Sequence, residues 1–70
     1  METIKLRDEY IKLGQALKAA GLVGSGVEAK EVIIDGLVKV NGKTELQRGK
    51  KLYAGDIVDF EGNEIKIEKW

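Results

Sequence analysis

The seventy residues predict an α+β domain, with two short helices packed on a small antiparallel sheet of four to five strands. Three observations carry that expectation. Leu13, Ala16, Leu17 and Ala20 fall at i, i+3, i+4 and i+7, one stripe of a helix. Ser25 followed three residues later by Glu28 is a capping-box signature for a second helix. After Gly36 the apolar period shortens to that of strands, and turn residues separate the runs.

In chain order, Thr3-Ile4-Lys5-Leu6 alternates and reads as a strand, broken by Asp8-Glu9. The first helix is expected from about Ile11 to Ala20, with Lys12, Gln15 and Lys18 pointing away from its apolar stripe and Gly21 just past its end. The second is expected from about Val27 to Asp35, with Ala29, Val32 and Ile33 inward and Gly36 closing it. Leu37 to Val40 is a β-branched strand, and Asn41-Gly42 is the signal of a type I′ hairpin turn, returning along Lys43-Thr44-Glu45. Arg48-Gly49-Lys50-Lys51 reads as a basic loop. Gly55-Asp56 turns into a strand at Ile57 to Phe60, and Gly62-Asn63 turns into a last strand at Glu64 to Lys69.

Composition excludes most chemistry. The chain has no Cys and no His, hence no thiol nucleophile, no imidazole base and no usual zinc ligand set. Neither a calcium-loop spacing nor a Gly-rich nucleotide loop occurs. An enzyme is therefore the weakest of the function classes, and no cofactor, metal or small-molecule substrate is expected. No apolar run approaches the roughly 20 residues that span a bilayer, and Met1 to Tyr10 lacks the apolar stretch of a signal peptide. A cytoplasmic monomer is the expectation, folded as one domain over residues 1–70.

Net charge is zero but unevenly spread. From Lys12 to Lys51, eight basic residues stand against four acidic ones, a net of +4, and the two ends carry the compensating −4. A neutral protein so arranged can present one basic face to phosphates.

The order of these signals resembles the S4 RNA-binding domain. The residues that carry the resemblance are Leu13, Leu17, Gly21-Leu22, Ser25, Ala29-Lys30, Ile33, Gly36, Val38-x-Val40-Asn41-Gly42 and the closing Gly55-Asp56-x-Val58. They cover about Ile11 to Phe60. The domain occurs in ribosomal protein S4, in pseudouridine synthases, in tyrosyl-tRNA synthetases and in a small heat-shock protein of stalled large ribosomal subunits. Small stand-alone bacterial S4-like proteins are the most similar subgroup. The resemblance implies the αL-type arrangement, a helix pair on a bent sheet. It also implies non-enzymatic binding of structured RNA such as ribosomal RNA, in association with the ribosome. The contact face would be formed by the second helix and the following hairpin and loop. One departure stands out. Gly26 occupies a position where many S4 domains carry an Arg that meets the RNA backbone, and Lys12 is the nearest substitute for the basic residue that opens the first helix. More weight then falls on Lys30, Lys43 and the Arg48 loop.

Each candidate has a plainer reading. Ser25 caps a helix, yet a helix N-terminus flanked by Gly24 and Gly26 also suits a phosphate. Lys12, Lys18, Lys30 and Lys39 would ordinarily be solvated lysines. Asn41-Gly42 is first a turn, with Lys43 beside it. Arg48, Lys50 and Lys51 form the densest basic cluster, short and Gly-hinged, and Arg48 suits forked phosphate contact. Tyr10, Tyr53 and Phe60 read mostly as core or lid residues, Trp70 reads as either a packed cap or an exposed contact, and splayed-base recognition is not indicated. The rival function is a protein-interaction adaptor without RNA. A ubiquitin-like sulfur carrier, its specific form, is disfavoured because the chain ends Glu68-Lys69-Trp70 rather than Gly-Gly.

Overall fold

The computed structural model describes residues 2–70. Two helices, α1 (Leu13–Ala19) and α2 (Gly26–Ile34), cover one face of a five-stranded sheet. The strands, numbered in chain order, are β1 (Glu2–Leu6), β2 (Ile11–Lys12), β3 (Val38–Val40), β4 (Lys43–Thr44), β5 (Lys51–Leu52), β6 (Ile57–Phe60) and β7 (Asn63–Lys69). The large sheet has the order β1-β7-β6-β3-β4, and β2 and β5 form a separate two-stranded sheet. The expected α+β class is borne out.

Both helices end as their glycines foretell. At Gly21 (φ 74°) and Gly36 (φ 77°) the chain enters the left-handed region, where a side chain would strain the backbone. That turn lets Gly21 N–H donate to Lys18 O and Leu22 N–H to Leu17 O. Gly36 and Leu37 do the same to Ile33 O and Val32 O, so each helix closes with a Schellman motif. Ser25 caps α2, its Oγ accepting from Glu28 N–H at 3.1 Å. The Glu28 carboxylate reaches back one residue further than a standard capping box and accepts from Gly24 N–H.

Asn41 and Gly42 (φ 52° and 84°) make the expected hairpin turn. The β6–β7 turn repeats it at Glu61-Gly62 (φ 52° and 87°), one residue earlier than Gly62-Asn63.

Three differences from expectation have physical reasons. The sheet is not wholly antiparallel: β1 runs parallel to β7, from Glu2 opposite Ile65 to Leu6 opposite Lys69. A strand that leads into a helical crossover needs no hairpin to its neighbour, and its direction leaves no local mark. Helix α1 begins at Leu13, because Ile11 and Lys12 are extended and pair with Leu52 and Lys51. Accordingly Lys51 belongs to a strand, and the basic loop ends at Lys50.

The core is continuous across these elements. Leu13 and Leu17 from α1, Ile33 from α2, Val38, Val58, Ile65 and Ile67 from the sheet, and Leu52 from β5 are fully buried. Burying each such side chain contributes about 1.5–3 kcal/mol relative to exposure. Leu52 matters for position as well, since it anchors the strand that follows the basic loop.

Candidate nucleic-acid interface

The loop of residues 45–50 is tied to the start of α1 through its backbone. Leu13 N–H donates to Lys50 O at 2.8 Å and Gly14 N–H to Arg48 O at 3.1 Å. The first free N–H groups of a helix need such acceptors. Here they hold the carbonyls of the basic loop, so its side chains are brought beside those of α1. The Arg48 stem crosses directly over Gly14. A Cβ there would meet Arg48 Cγ at 2.6 Å and Cδ at 3.2 Å.

Two adjoining grooves result. The first, about 340 Å³, is lined by Lys12 of β2, Gln15 and Lys18 of α1, Gly26 at the start of α2, and Arg48 and Gly49 of the loop. Three cations and no carboxylate line it. The second, about 420 Å³, is lined by Asn41, Lys43, Lys50, Lys51 and Tyr53, together with Glu45 and Asp56. Consecutive residues Gly49 and Lys50 connect the two grooves. Among the described residues, the one ion pair joins Lys66 and Glu68 at 3.6 Å, so no cation of either groove is held by a carboxylate at ion-pair distance.

The sequence-predicted residues divide as follows. Lys12, Lys18, Gly26 and Arg48 meet in the first groove, and Asn41, Lys43, Lys50 and Lys51 in the second. Ser25 flanks the first groove, its Oγ accepting from Glu28 N–H in the cap while its O–H donor stays available. Lys30 is exposed one turn beyond Gly26 on α2. Lys39 stands apart. It is exposed between the buried Val38 and Val40, which places it on the open face of the sheet, away from the helices and opposite Asp59 in the strand register. Within the first groove the cations come from β2 (Lys12), α1 (Lys18) and the loop (Arg48), while α2 contributes Gly26 and carries the exposed Lys30 one turn further on.

Asn41 proves to be a strut. Its Oδ1 accepts from Ile57 N–H at 2.9 Å and its Nδ2 donates to Asp56 Oδ1 at 3.0 Å. The other Asp56 oxygen accepts from Tyr53 N–H at 2.8 Å. The turn, the acid and Tyr53 are thus locked together.

Two features escaped the sequence reading. Gln15 lines the first groove, and its i, i+3 spacing with Lys12 and Lys18 was the available signal. Tyr10 and Tyr53 are not core residues, being 36% and 44% exposed, whereas Phe60 packs against the core, and of the two readings of Trp70 the exposed one holds, at 71%. Trp70 lies under the Arg7 guanidinium, 4.2 Å from its ring centroid. Nothing in the residue types of Tyr10 and Tyr53 foretold exposure, because it follows from the β2–β5 pairing.

Gly14 gives a direct check on the Arg48 position. Gly14→Ala adds a favourable helix residue, worth at most about 1 kcal/mol, yet it must push the Arg48 stem aside. Thermal stability is expected to stay near that of the parent, while affinity for RNA falls up to about tenfold, the scale of one weakened charged contact. Calorimetry and an RNA titration on the same sample check both halves. An unchanged affinity would show that Arg48 need not cross Gly14.

Comparison with known proteins places the chain in a family. The family model for the S4 domain matches residues 4–68, beyond the core motif on both sides. Over 59 residues the chain is 44% identical to "Probable ribosome maturation protein RlbA" of Bacillus subtilis (strain 168), covering 84% of this chain and 83% of that protein. Over 68 residues it is 35% identical to "Putative RNA-binding protein YbcJ" of Escherichia coli (strain K12), covering 96% and 97%. It is also 41% identical over 56 residues to a tyrosine–tRNA ligase of Burkholderia lata, covering 80% of this chain but 14% of the ligase. By the extent of the family match and the near full-length likeness to small relatives, this chain belongs to the S4 domain family.

Proposed function

We propose that this chain is a non-enzymatic RNA-binding domain that docks on a structured RNA, such as ribosomal RNA, through the two adjoining grooves. The carrying observation is the convergence of Lys12, Lys18 and Arg48 in one groove, free of ion-pair partners among the described residues. Cations so placed suit phosphate oxygens held in a fixed relative position, which is recognition by shape and backbone. Lys43, Lys50 and Lys51 extend the positive surface into the second groove, and Lys30 extends it along α2. The names of two relatives, one a ribosome maturation protein and one an RNA-binding protein, point the same way.

Salt dependence is the first test. About 4 to 6 phosphate contacts give a slope of log affinity against log salt on the order of −3 to −5. Titration of fluorescently labelled ribosomal RNA fragments across salt concentrations measures it. A slope near zero would remove phosphate docking and leave the adaptor reading.

A further inference from the structure

The two grooves differ in chemistry, and the difference points to two parts of an RNA. The first has cations alone, which suits phosphate. The second mixes Lys43, Lys50 and Lys51 with Glu45 and Asp56, and those carboxylates disfavour a second row of phosphates. It also has an aromatic wall. Tyr53 lines it, and the Tyr53 ring meets that of Tyr10 with centroids 6.1 Å apart and planes at 52°. One face of Tyr10 is taken by Lys51, whose Nζ lies 4.8 Å from the ring centroid. Tyr53 has no such partner among the described residues, and its backbone is pinned by Asp56. A braced, exposed ring beside unpaired lysines is a suitable platform for a flat, uncharged group attached to a phosphate chain.

We propose that Tyr53, backed by Tyr10, stacks on one unpaired nucleobase of the RNA whose phosphates occupy the first groove. This inference rests on the RNA-binding reading and narrows it: the target presents an unpaired base in a loop, a bulge or an end, because a continuous duplex keeps its base faces stacked internally.

The test uses two RNA probes, a stem closed by an adenine-rich loop and the same stem as a blunt duplex, titrated by fluorescence anisotropy. Wild type is expected to prefer the stem–loop. Tyr53→Leu should lower stem–loop affinity on the order of 5- to 150-fold and leave duplex affinity unchanged. Tyr53→Trp should retain stem–loop affinity. In a Trp70→Phe background that variant carries a single tryptophan, whose fluorescence should be quenched by the stem–loop alone. Equal binding of the stem–loop by wild type and Tyr53→Leu overturns the stacking proposal while leaving RNA binding in place. So does a Tyr53→Trp variant as weak as Tyr53→Leu, since that marks a structural tyrosine. Failure of wild type to bind either probe, at low salt, removes the RNA-binding reading and this proposal with it.

Discussion

Replacing Arg48 and Lys50 together by glutamate is expected to lower RNA affinity about a hundred- to a thousandfold and to leave the fold intact. The two side chains are exposed and serve adjoining grooves, so the double variant removes cations from both. Each charged hydrogen bond is worth about 1.5–3 kcal/mol where it forms, and reversal adds repulsion from phosphate. Two such losses, discounted for solvent, amount to roughly 3–4 kcal/mol, or two to three decades of affinity. The fold should survive because what this loop gives to α1 is backbone, the carbonyls of Arg48 and Lys50 that accept from Gly14 and Leu13. Binding titrations read the loss, and circular dichroism reads the fold. The salt slope should shrink toward zero by about two units. Parent-like binding in a folded double variant would take the loop out of the interface.

Leu52→Ala acts on the same surface from beneath. Leu52 is fully buried, and it is the core residue of β5. Its truncation is expected to cost about 2–5 kcal/mol, the range for buried leucine. A domain of this size has a total stability of roughly 4–10 kcal/mol, so the variant should lose much of it. The denaturation midpoint in urea measures the change. The partner of Leu52 is Ile11, and that pairing holds the basic loop against α1. RNA affinity should therefore fall even under conditions where the variant is mostly folded. The two substitutions thus separate opposite cases: one loses binding with the fold retained, the other loses the scaffold that aims the loop. A midpoint within about 0.5 kcal/mol of the parent, the range of an ordinary surface change, would mean that Leu52 is not the anchor described here.

Much of the chain could be read from residues alone because the signals are local. Ser25 and Glu28 lie within one turn, and each helix ends on a glycine in the left-handed region. Asn41-Gly42 makes its own turn, and Ile65 and Ile67 alternate with polar neighbours on one strand. Each signal is complete within a few residues, and the tertiary structure had only to accept it.

What the sequence by itself determined was the inventory: two capped helices, a hairpin-rich sheet, neither Cys nor His, and a surplus of cations between Lys12 and Lys51. Only the tertiary structure decided where those cations stand. It joined Ile11 to Leu52 through a strand pair too short to show a period, and so set Arg48 beside Lys12 and Lys18. It turned Lys39 to the far face of the sheet, laid β1 parallel to β7, and exposed Tyr53 beside the lysines. The physical reason is the same throughout. Caps, turns and periods are set by neighbours in the chain, whereas the pairings of β1 with β7 and of β2 with β5 join residues some forty or more positions apart, through burial that no local stretch records.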